Sequence, residues 1–93
     1  MSDKKIKIQI ADPGKLVYMG EAASVILPAH DGEMGVLHGH IPMIGLMGAG
    51  TVDVNYGTTR EYFAVRSGQF EITGEAVKIL AEEAGPVASK PGK

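Results

Sequence analysis

Cysteine is absent from the 93 residues, which excludes a disulfide framework and any thiolate metal site. In so small a domain that absence points to a reducing compartment, with the cytosol as the default. Tryptophan is absent as well and aromatics make up only 5% of the chain. A sugar-stacking platform therefore lacks its usual side chains, and the core has to be built from Ile, Val, Leu, Met and Ala. No apolar run approaches the roughly 18 residues of a membrane span, and Met1-Ser2-Asp3-Lys4-Lys5 leads into a strand pattern rather than an apolar signal core. Direct membrane insertion is not expected. A charge excess is missing too: nine basic and eleven acidic residues are mixed along the chain for a net −2, which gives no electrostatic footprint for nucleic acid or anionic lipid.

What is present is a series of short strand patterns. Lys5-Ile6-Lys7-Ile8-Gln9-Ile10 alternates, placing three isoleucines on one face. Asp12-Pro13-Gly14 reads as a turn with Gly accepting positive φ, and Leu16-Val17-Tyr18-Met19 follows as a second strand closed by Gly20. Ala22–Leu27 is a continuous apolar strand that Pro28 ends, which requires cover on both faces or a partner. Later, Thr51–Tyr56 and Arg60–Arg66 form a hairpin, Ser67-Gly68 marks a bend, and Gln69–Thr73 pairs with Ala76–Ala81. In that last pair Phe70, Ile72, Val77, Ile79 and Ala81 are the inward candidates. Strands of this length and spacing, with no helical period before residue 80, predict an all-β antiparallel sandwich or barrel over residues 1–84. Residues 85–93 have the small, polar, Pro-broken composition of a flexible, disordered tail.

The most constrained stretch is Asp31–Met43, where Asp31-Gly32 can turn with positive φ, Gly35 and Gly39 remove Cβ, and Pro42 fixes φ. Its polar side chains lie where loops present residues to a partner. His30, His38 and His40 suggest zinc, but only Asp31 and Glu33 lie near, and a structural site wants four ligands with second-shell support. The alternative reading that follows is a small sandwich binding metal or carbohydrate through the His30/His38/His40 loop. The leading reading takes them as loop histidines bonded to backbone or a partner. Gly45–Gly50 lacks the Lys-Ser/Thr ending of a phosphate loop, and no serine has elbow glycines on both sides. No catalytic residue, cofactor site or metal site is therefore assigned. Ile41, Met43, Ile44, Leu46 and Met47 are more apolar surface than one strand face can hide, and the surplus reads as a patch for a protein partner.

The order Gly32-Glu33-Met34-Gly35-Val36-Leu37, then Gly39-His40-Ile41-Pro42-Met43-Ile44, then Gly50 opening a strand, resembles the ε subunit of the rotary ATP synthase in its N-terminal domain. The resemblance continues through Tyr62-Phe63-Ala64-Val65, Ser67-Gly68, Phe70-Glu71-Ile72 and Val77-Lys78-Ile79-Leu80-Ala81, across roughly residues 5 to 84. It departs at His38, usually proline in that family, and at Gln69, usually glycine. The sequence also ends where family members continue into a two-helix hairpin linked with inhibition of hydrolysis and, in some, ATP binding.

The resemblance implies an all-β antiparallel β-sandwich of two five-stranded sheets, about ten short strands in all. It implies a non-catalytic rotor subunit linking the γ subunit to the membrane c-ring, so that proton movement is coupled to ATP synthesis. The expected location is the cytoplasmic face of the bacterial inner membrane. By match to the family motif, Asp31 and Glu33 are the candidate c-ring contacts, and His40, Ile41, Pro42, Met43 and Met47 the candidate γ contacts.

Overall fold

The structure, a computed structural model, describes residues 4–90. Among the described residues eight strands follow one another without a helix: β1 Ile6–Asp12, β2 Lys15–Ala22, β3 Ser24–Ala29, β4 Gly32–Val36, β5 Met43–Met47, β6 Gly50–Asn55, β7 Arg60–Ile72 and β8 Ala76–Val87. The alternation in β1 is realised, with Ile6, Ile8 and Ile10 buried and Lys5 and Lys7 exposed.

Two of the eight strands serve twice. The first half of β7, Arg60–Val65, pairs with β6, and its second half, Gly68–Ile72, pairs with β5. β8 stays beside β7 throughout, while only its first half, Ala76–Leu80, pairs with β1. One sheet therefore runs β2-β1-β8-β7-β5 and the other β4-β3-β6-β7-β8. Each has five strands, and the ten segments expected from the resemblance come from eight strands because β7 and β8 are counted in both. All pairs are antiparallel except β1 with β8, which is parallel, because β1 lies against a strand far away in sequence rather than against a hairpin partner.

The crossing from sheet to sheet is written in the burial pattern. Along β7 the inward residues are Phe63 and Val65, then Phe70 and Ile72; along β8 they are Val77, Ile79 and Ala81, then Ala84. Both strands change parity together across Arg66-Ser67 and Glu82-Glu83, so the side chains that face the core switch as the strands turn the corner. Ser67 at φ 46° and Gly68 at φ 140° make the bend. A Cβ on Gly68 would lie 2.2 Å from the Leu80 carbonyl oxygen, so the backbones can approach this closely only at glycine. The core between the sheets is aliphatic, centred on Ile6, Ile8, Ile10, Val25, Leu27, Val36, Val52, Val54, Ile72 and Val77.

Three expectations need correction. β8 runs to Val87, with Gly85, Pro86 and Val87 paired to Ala64, Phe63 and Tyr62, so the tail drawn from residue 85 begins inside a strand. Ladder pairing with β7 outweighs the poor strand propensity of Gly and Pro, and Pro86 is tolerated because this half of β8 is the edge of its sheet. Of the tail, residues 91–93 lie outside the described residues. Pro28 does not end β3 but sits within it opposite Glu33. Gly14 does not take positive φ. The Asp12 carboxylate instead accepts from the Gly14 and Lys15 amides at 2.9 and 3.0 Å and closes the turn itself. Lys15 Nζ at 3.1 Å, with those amides, holds the Asp12 carboxyl below the usual carboxylate range.

Candidate interaction surface

β4 carries the chain from Asp31 and Glu33 to the Leu37–Pro42 loop, and β5 brings it back, so that Met43 and Leu46 line one cleft with Asp31 and Glu33 while Ile41 and Pro42 lie at the far end. Asp31 and Glu33 stand at the start of β4, both exposed, beside Gly32 with φ 131°. Glu33 Oε2 accepts from Lys90 Nζ at 2.6 Å. At the far end the loop from Leu37 to Pro42 is tied down by the Gly39 amide, which donates to the Gly74 carbonyl at 2.7 Å, and by the His40 amide, which donates to the Leu37 carbonyl at 3.0 Å. Gly39 takes φ 90°, and His40 Nδ1 donates to the Ile41 carbonyl at 2.7 Å. The loop is thus held in a shape that leaves Ile41 77% exposed.

This arrangement dismantles the histidine site. His30 lies in the β3–β4 turn, whereas His38 and His40 follow the opposite end of β4. No group of three or more His, Cys, Asp or Glu residues is placed to hold a metal among the described residues.

The γ candidates divide. His40 is half-buried; Ile41, Pro42 and Met43 are exposed. Met47, offered as a contact, is a core residue at 3% exposure. The reason is its register: Met43, Gly45 and Met47 lie opposite Ile72, Phe70 and Gly68 on the inner side of β5, while Ile44 and Leu46 lie opposite Glu71 and Gln69 on the outer side. At this position the apolar run gives both faces of one strand, and only the pairing partner tells which residue is outside.

Extended across the sheet, that outer face consists of two rows. One reads Ile44, Glu71, Lys78, Gln9, Met19; the next reads Leu46, Gln69, Leu80, Ala11, Leu16. The second row is apolar at four of its five positions. Ile44 at 74% exposure, Leu46 at 64%, Leu80 and Leu16 are all large apolar side chains in water, more than scattered single residues would supply. Leu16, Met19 and Leu80 were missed as surface candidates. Leu80 could have been found as the apolar residue out of step in the alternation of Val77, Ile79 and Ala81.

At the other end of the core, Tyr18 of β2 stacks at 4.9 Å on Phe63 and its hydroxyl bonds that of Tyr56. Tyr56 in turn donates to Glu61 Oε1 at 2.5 Å. Burial and the Glu61 carboxylate push the Tyr56 phenol far above its ordinary range. The chain of bonds links the edge of one sheet to the β6–β7 hairpin of the other.

Against this geometry stand the comparisons. A family model described as ATP synthase, Delta/Epsilon chain, beta-sandwich domain matches residues 5–87. The ATP synthase epsilon chain of Helicobacter pylori strain P12 is 44% identical over 87 residues, covering 94% of this chain and 69% of that one. That of Helicobacter acinonychis is 44% identical over 79 residues, 85% of this chain and 64% of that one. The chain thus spans about two thirds of the length of these relatives. Among solved structures, a chain of the Euglena gracilis mitochondrial ATP synthase superposes with a TM-score of 0.81 at 22% identity, over 88% of this chain and 53% of that one. A chain from the Tetrahymena thermophila enzyme gives 0.70 at 9%, over 90% and 68%, and both likenesses speak for the fold. The matched span ends at Val87, where β8 ends, and the chain belongs to the ATP synthase delta/epsilon β-sandwich family.

Proposed function

We propose that this domain is a non-catalytic part of the rotor of an ATP synthase, joining the γ subunit to the c-ring on the cytoplasmic face of a bacterial membrane. The observation that carries the reading is the exposed apolar face at Ile44, Leu46 and Leu80 in a chain of this family. γ docks on that face and on Ile41, with Met43 and Pro42 at its margin, while Asp31 and Glu33, at the start of β4, meet polar loops of the ring. Two hydrogen-bonded sheets around a close-packed aliphatic core deform little, which suits a part that transmits torque.

The test is titration of γ from the same organism with Ile44→Asp, Leu46→Asp and Glu33→Gln. An apolar side chain desolvated at an interface is worth roughly 1.5–3 kcal/mol, an exposed charge contact under about 1 kcal/mol. The two Asp variants are expected to keep their thermal midpoint and to weaken γ binding at least about tenfold. Glu33→Gln is expected to leave γ affinity nearly intact and to lower proton-coupled synthesis in the reconstituted enzyme. Wild-type γ affinity in both folded Asp variants would overturn the assignment of this face.

A further inference from the structure

The row Leu46, Gln69, Leu80, Ala11, Leu16 is a ridge with a groove on either side. One cleft of about 570 Å³ runs from Leu46 past Gly68 and Glu82 to Pro13. A second, of about 310 Å³, runs from Ile44 past Glu71 and Lys78 to Gln9. Both share Gln69 and Leu80, so they lie side by side across the strands with the ridge between them. From β5 to β2 the ridge crosses four strand spacings, about 19 Å, the length of about 13 helical residues.

We infer that this face takes a single amphipathic helix of the partner, laid across the strands along the Leu46–Leu80–Leu16 ridge. The inference rests on the reading of γ as the partner. The middle of a sheet face offers side chains and no free backbone groups, so a segment buried on it must satisfy its own N–H and C=O groups, as a helix does and a lone strand does not. An apolar helical stripe drops side chains alternately to either side of its midline, which matches two grooves about a ridge. The neighbouring row is polar in its middle, at Glu71, Lys78 and Gln9. A second sheet covering the whole face would bury those groups, whereas a helix about 10 Å wide leaves them at its margin. On the other flank Glu82 is exposed and has no ion pair among the described residues, so the helix is expected to carry Lys or Arg on that side.

The absence of cysteine makes the test direct. Glu71→Cys and Gln9→Cys, two strand spacings or about 10 Å apart on one flank, are each labelled with a short photo-reactive maleimide and illuminated in complex with γ. Thr58→Cys, on the β6–β7 hairpin, serves as the control. The expected result is cross-links to two γ residues seven positions apart in one segment, since seven helical residues rise about 10.5 Å, and none from position 58. Cross-links to separate segments, or two to four positions apart, would overturn the helix while leaving the face as the γ surface. Cross-links between two copies of this chain would replace the partner by a second copy. Retained γ binding without any cross-link from positions 9 and 71 would overturn both the helix and the face.

Discussion

The two sheets share β7 and β8, yet their outer faces are finished in different ways. On the β4-β3-β6-β7-β8 sheet, Thr51 and Asp53 point outward and are nevertheless buried. The Asp53 carboxylate takes Arg60 Nη1 at 3.0 Å on each oxygen, and the neighbours are small or paired: Gly35 opposite Ile26, Gly85 opposite Ala64, Glu83 bridged to Arg66. On the β2-β1-β8-β7-β5 sheet, Ile44, Leu46, Leu80, Met19 and Leu16 stand in water. The first face is completed by the chain's own side chains, and the second has apolar surface to spare. Stability should therefore reside in the first face and association in the second.

The largest effect should come from breaking what the faces have in common. Gly68→Ala puts a methyl group 2.2 Å from the Leu80 carbonyl oxygen at φ 140°. Strain at a glycine-only conformation and overpacking together cost about 2–6 kcal/mol. A domain of this length holds only about 5–14 kcal/mol in total. Chemical denaturation should show Gly68→Ala largely or wholly unfolded, whereas Gly57→Ala, also at positive φ but with open space around it, should lose far less. Equal losses would mean that the bend is not what joins the sheets.

Most of the sandwich was legible because period-two alternation reports which face of a strand is covered, as in β1 with Ile6, Ile8 and Ile10 and in the first half of β8 with Val77, Ile79 and Ala81. Ser67-Gly68 was readable as a bend. What was not legible depends on pairing across the sheet. Met47 and Leu46 are adjacent apolar residues in one run, and only the positions opposite them, Gly68 and Gln69, decide that Met47 is core and Leu46 is surface. Pro86 reads as a strand breaker until β7 is seen to hold it on an edge. Asp53 reads as one more solvating charge, since its partner Arg60 lies seven residues away across a hairpin.

A middle-sized effect isolates the completed face. Arg60→Ala takes the cation from the Asp53 carboxylate, which with Arg60 in place is 5% exposed. Because the Arg60 side chain is itself 45% exposed, the loss should fall below that of a fully buried pair, at about 1–3 kcal/mol. The double variant Asp53→Val with Arg60→Ala should recover much of it, since it removes the charge that was left unpaired. Urea denaturation of both settles the point: a stability for Arg60→Ala within about 0.5 kcal/mol of wild type would show that Asp53 reaches water, and that this face is not finished by its own side chains.

The smallest effect is the one that separates the faces most clearly. Leu46→Gln changes a large apolar residue in the middle of a strand, which in a core position would cost several kcal/mol. Leu46 is 64% exposed and opposite Gln69, so little apolar surface is lost from the folded state and the amide has water on its open side. The expected change in unfolding free energy is within about ±0.5 kcal/mol. Met47→Gln, one residue along and 3% exposed, should cost about 2 kcal/mol or more, because it buries an unpaired amide where a thioether packed. Denaturation curves for the two variants compare adjacent residues of one strand that differ only in the face they occupy. If Leu46→Gln destabilised the domain as much as Met47→Gln, Leu46 would be packed in the free domain, and the apolar row could not be surface held ready for a partner.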